Sequence, residues 1–171
     1  MAQPSLALAA LAMLSCTAFS QPVSIQKGAL VGTWKLVSAS NVTDKGVVND
    51  APYGRNPIGF LTYTADGRMM AIITDGGPKP LSKYWRIAPA GEKAQAFTTS
   101  LTYAGTFTVI DGNRVIHHVE ASSDPNRVNT DLVRVVVNLA NGRVTLRTAN
   151  GMAWDDGVQY AYQELVWDRL K

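Results

Sequence analysis

His117 and His118 are the only histidines in the chain, and they are adjacent. Imidazole is the side chain best suited to moving a proton near neutral pH, and it is also a common metal ligand. Neighbouring residues on a strand point to opposite faces, so this pair cannot grip one ion, and the lone cysteine, Cys16, is remote in sequence. No metal site and no cofactor are expected. Val115 and Val119 share the face of His117, whereas Glu120 shares that of His118, which assigns His117 to the interior. There it is either a polar anchor or proton donor in an apolar cavity, or a hydrogen-bonded core histidine.

Arg134 stands between Val133 and Val135, in a segment that should pair with the histidine strand. It either faces solvent or sits inside, and inside it needs a carboxylate, from a ligand or from Glu120 or Glu164. Tyr63, Tyr103, Tyr160, Tyr162 and Trp154 are suited to an aromatic wall with hydroxyls at its rim, or simply to a core. With Trp85 from a long insertion, the candidate ligand-binding set is His117, Arg134, Tyr63, Tyr103, Trp85 and Tyr162. No catalytic residue is assigned. The chain has no Gly-x-Ser-x-Gly elbow, no phosphate-cradling glycine loop and no His-Glu-x-x-His, and Asp155-Asp156-Gly157 reads as a turn.

The elements that must hold these residues are strands. Segments 31–43, 59–64, 68–74, 101–110, 114–121, 132–139, 143–148 and 158–170 are rich in Val, Ile, Thr, Tyr and Trp. Ala65-Asp66-Gly67, Asp111-Gly112-Asn113 and Ala140-Asn141-Gly142 join them with the residues that tight antiparallel hairpins demand. About eight such strands can close into a barrel with room for side chains or one small ligand. The insertion from Gly76 to about Ser100 breaks the meander; it should carry one short helix over 89–97 and, with Tyr84 and Trp85, could act as a lid. Pro52, Tyr53, Gly54, Asn56 and Pro57 read as a loop near one mouth. The fold class is therefore all-β: a single antiparallel up-and-down barrel of about eight strands.

In a closed barrel the first and last strands are neighbours. Gly32-Thr33-Trp34 opens the first strand and Trp167-Asp168-Arg169 ends the last, so the Trp34 indole should cover the barrel floor with the Arg169 guanidinium over its face.

Residues 6–19 form an apolar run followed by Ala18-Phe19-Ser20 and Gln21-Pro22, the pattern of a secretory leader cut after Ser20, although no Lys or Arg precedes the run. The run is too short to span a bilayer. Leu14-Ser15-Cys16 is a degenerate lipobox, which offers lipid anchoring through Cys16 as the alternative. The expected organisation is a signal peptide at 1–20, a flexible segment at 21–29 and a barrel domain at 30–171, secreted or periplasmic. The mature chain then has no cysteine and is stabilised by packing and hydrogen bonds alone. A net charge of +3, with basic residues scattered singly, excludes a basic patch for nucleic acid or membrane surfaces. Asn41-Val42-Thr43 matches a glycosylation sequon.

An ordered set of motifs resembles the bacterial and fungal lipocalin-like domain family. It comprises Gly32-Thr33-Trp34-Lys35-Leu36-Val37-Ser38, the stretch 52–64, Asp66-Gly67-Arg68-Met69, Tyr103-Ala104-Gly105-Thr106-Phe107, His117-His118-Val119-Glu120, Pro125-Asn126, Thr130-Asp131 with Arg134, and Leu165-Val166-Trp167-Asp168-Arg169. The resemblance implies a small lipocalin-like β-barrel and assigns no activity. One departure is Arg127-Val128-Asn129, where the family more often has an aromatic and then a glycine before the threonine. Three functions follow: an exported barrel binding a small, mostly apolar molecule, an isomerase or cyclase with a His or Tyr proton donor, and an envelope interaction protein with a filled barrel. The oligomeric state is left open.

Overall fold

Alternation of apolar and polar side chains commits each segment to a strand with one face toward a common core. The computed structural model describes residues 25–48, 53–149, 152–153 and 159–171. The expected leader, residues 21–24, Pro52, Trp154, Asp155 and Asp156 lie outside the described residues.

The chain runs α1 (Lys27–Leu30), β1 (Gly32–Thr43), β2 (Gly46–Val48), β3 (Ile58–Tyr63), β4 (Arg68–Thr74), α2 (Ala90–Thr98), β5 (Ser100–Ile110), β6 (Arg114–Ser122), a 3-10 turn at Pro125–Arg127, β7 (Asp131–Ala140), β8 (Arg143–Thr148), β9 (Met152–Ala153), β10 (Gln159–Tyr160) and β11 (Tyr162–Arg169). Strands β1, β3, β4, β5, β6, β7, β8 and β11 pair antiparallel in that order, and β11 pairs back onto β1, which closes an eight-stranded barrel. The short β2 extends the far end of β1, and β9 with β10 forms a separate ribbon. The hairpins turn where expected: Asp111 and Gly112 have φ of 49° and 72°, and Asn141 and Gly142 have 53° and 74°, the paired positive values of a tight two-residue turn.

Inward positions fill the barrel. Trp34, Leu61, Tyr63, Phe107, Val115, Val136, Val144, Leu146 and Trp167 are all 2 % exposed or less. The floor is built from both ends of the described chain. Trp34 and Arg169 are register partners, and the guanidinium carbon lies 4.1 Å from the indole ring centre. The Trp34 Nε1–H donates to Leu30 O at 2.8 Å, and Arg169 donates to the carbonyls of Ala29 and Val31. Gly32 makes this possible: its φ is +135°, and a Cβ there would sit 2.6 Å from Arg169 Nη1.

At the start of the described residues Ile25 and Leu30 pack against the core, while Gln26 to Ala29 stay exposed. Ile25 is buried and its N–H donates to Gly112 O, while Leu30 is fully covered. Burying two such aliphatic side chains contributes about 2–3 kcal/mol each, enough to hold so short a segment in place.

The insertion contains its helix, α2, but no part of it lines the lumen. Tyr84 and Trp85 remain 64 % and 54 % exposed, with Trp85 stacked on its neighbour Arg86. Pro89 precedes the first helical turn, and Glu92 accepts from the Ser82 N–H and hydroxyl, so the insertion is braced against itself.

Candidate functional site

β6 alternates without interruption through Val115, His117 and Val119, all at most 3 % exposed, and this carries His117 into the lumen. His118 points out and bonds Asp131 and Thr108. β3 and β5 bring Tyr63 and Tyr103 to the two ring nitrogens of His117: Tyr63 Oη lies 2.7 Å from Nε2 and Tyr103 Oη 3.0 Å from Nδ1. All three side chains are buried. Burial, and then the nearby Arg134 charge, holds the His117 pKa well below its usual 6.5, so the imidazole is neutral. Burial likewise pushes the Tyr63 hydroxyl well above 10.

Arg134, on β7, is a second inward polar residue near His117. It is 6 % exposed and donates from Nη1 to Val133 O at 3.2 Å. The two acids that could have neutralised it are engaged on the outer face. Glu120 takes both terminal nitrogens of Arg68, at 3.1 and 2.9 Å, and Glu164 accepts from Arg147 at 2.7 Å. Among the described residues Arg134 forms no ion pair.

A cavity of about 20 Å³ lies in the half of the barrel away from the floor, the room of about one water. Its apolar side is Leu61, Ala71, Ile73, Leu101, Leu146 and Leu165, and its polar side is Tyr103, His117, Arg127, Arg134, Thr148 and Gln163. No acidic residue lines it. Trp167 also lines it, and its indole N–H is a buried donor without an acceptor. Arg127 is engaged by Asp124 at 3.0 Å.

Of the candidate set, the structure brings together His117, Tyr63, Tyr103 and Arg134. It does not include Trp85 or Tyr162. Tyr162 lies on the outer face of β11 under the Arg147 guanidinium, 4.4 Å away, because β11 turns Gln163, Leu165 and Trp167 inward. The phase of Leu165 and Trp167 already carried that information. Sequence reasoning also missed a polar cluster at the end away from the floor: Tyr53 Oη donates to Gln163 Oε1 at 3.4 Å, and Gln163 Nε2 donates to Asn41 Oδ1 at 3.0 Å. Asn41 is 1 % exposed, so the sequon is closed to a glycosyltransferase in the folded barrel. The signal for Gln163 was a polar residue at an apolar phase.

A family model described as a lipocalin-like domain matches residues 31–170. No curated protein matches the sequence. Among solved structures, a redesigned β-barrel is similar over 90% of this chain and 100% of its own, at 10% identity and a TM-score of 0.40.

Proposed function

Since the chain belongs to the lipocalin-like domain family, whose model spans all eight barrel strands, we propose that it binds a small, mostly apolar molecule in its lumen. One observation carries the reading: a buried arginine without an acid shares one cavity wall with His117, Tyr103 and a set of aliphatic side chains. Small-ligand sites combine apolar walls with a few placed polar groups in this way. Because the cavity holds only about a water, the polar end of the ligand occupies it and the body displaces lumen side chains. Titration with short-chain amphiphiles, followed by amide and methyl NMR shifts, should therefore perturb Leu61, Leu101, Leu146 and Leu165 together. Shifts confined to the outer face, or none, would sink the reading.

The leader pattern supports export, to the periplasm or the medium. Intact mass of the mature protein beginning at Gln21 is the expected result; a lipid-modified Cys16 would instead support anchoring.

The small cavity favours one second reading, a filled barrel acting through its outer surface. A fully resistant lumen in the titration would support it. An isomerase or cyclase using His117 as a cationic acid is less well supported, because burial keeps that imidazole uncharged.

A further inference from the structure

Neutral imidazole has one N–H and one lone pair, so His117 donates to one tyrosine and accepts from the other. Tyr63 has no hydrogen-bonding partner other than His117 among the described residues and does not line the cavity. If it accepted from Nε2–H, its own O–H would be left buried with no acceptor, at a full desolvation cost. The lower-energy arrangement has Tyr63 donating to Nε2, over the shorter 2.7 Å contact, and Nδ1–H donating to Tyr103 Oη. That leaves the Tyr103 O–H, on the cavity wall, free to donate.

Three residues with donors then line one small space: Tyr103, Arg134 and Trp167, whose indole N–H is buried with no acceptor among the described residues. The cavity wall supplies no carboxylate, and Glu120 and Glu164 are already paired outside. A buried cation with spare donors and no counter-charge is costly unless a ligand completes it. We infer that the polar end of the ligand is an anion, a single carboxylate carried on an apolar body, received by Arg134 and Tyr103. Guanidinium donors match the two oxygens of a carboxylate, and one compensating charge suits one arginine, since Arg127 is neutralised by Asp124.

The inference rests on lumenal binding, and the test separates the two. Hexanoate and octanoate are compared with 1-hexanol and 1-octanol by NMR titration of the purified barrel. The acids should bind about tenfold or more tightly than the matched alcohols. Arg134→Gln should abolish that preference, bringing acid and alcohol affinities together, and Arg134→Lys should retain part of it. Should the glutamine variant fail to fold, the acid-to-alcohol ratio of the unaltered protein and the carboxyl carbon shift of bound [1-¹³C]octanoate, expected to stay ionised below its free pKa, still decide. Acids and alcohols binding equally would overturn the anionic head group and leave lumenal binding standing. Binding of neither class would overturn both.

Discussion

His117 is a base that the fold keeps uncharged, and this has a measurable sign. Its native pKa is depressed, so below the ordinary value near 6.5 the unfolded chain takes up a proton that the native barrel refuses. Stability should fall as pH drops through that point, by at most about 1.4 kcal/mol per pH unit from this group. Urea melts between pH 7.5 and 5.5 measure the slope. His117→Gln keeps an amide between the two tyrosines and should flatten it; an unchanged slope would mean that the imidazole is not buried neutral. The tyrosine partner acts at the other end of the scale. Tyr63, raised above 10, contributes stability that is lost as pH rises past 10. Tyr63→Phe removes the donor to Nε2 and should cost about 1–2 kcal/mol in denaturant melts at neutral pH.

The residues of this site were legible in unequal measure. His117 could be placed by its valine neighbours, because a strand's period of two is strict. Arg134 could be narrowed to a short set of partners, but ruling out Glu120 and Glu164 required seeing Arg68 and Arg147 beside them on the outer face. Trp85 could not be placed this way, because an aromatic in a long insertion has no phase to read. Asn129 shows a tolerant position: its φ is +60°, a left-handed value that asparagine reaches at modest cost.

At the scale of elements, the two ends of the sheet are held by one clasp. Gly32→Ala would place a Cβ against Arg169 and force an unfavourable φ, costing about 1–3 kcal/mol. Arg169→Met relieves the collision but loses the stacking and the carbonyl bonds. The double variant should therefore be less destabilised than the sum of the singles, and a thermodynamic cycle from chemical melts checks this. Strict additivity would show that the glycine is required for its φ alone. Strand positions and hairpins were readable because each repeats a local rule, apolar alternation or Asn-Gly and Asp-Gly turns. The burial of Ile25 was not readable, since nothing local distinguishes Ile25 in a tail from Ile25 under a barrel; only the floor it covers explains it.

Taken whole, the barrel is also apolar on part of its outside. Phe60 and Ile72 are cross-strand partners on β3 and β4, with Ile58 and Met70 beside them, and all four are 38 % exposed or more. These positions do not fill the interior. Phe60→Thr and Ile72→Thr should each change stability by no more than about 0.5 kcal/mol and lower the binding of a surface-reporting dye. A loss of several kcal/mol would mean that the patch is covered in the native protein.

The pairing of β1 with β11 places Leu170 N–H on Thr33 O and Arg169 on Ala29 and Val31. Contacts so far apart along the chain cannot form while the ribosome still holds the final strand. Until release, β1 presents an open flank to any strand that diffuses by, a template for aggregation. A chain truncated before Tyr162 should therefore give insoluble product where the same chain carried through Arg169 stays in solution.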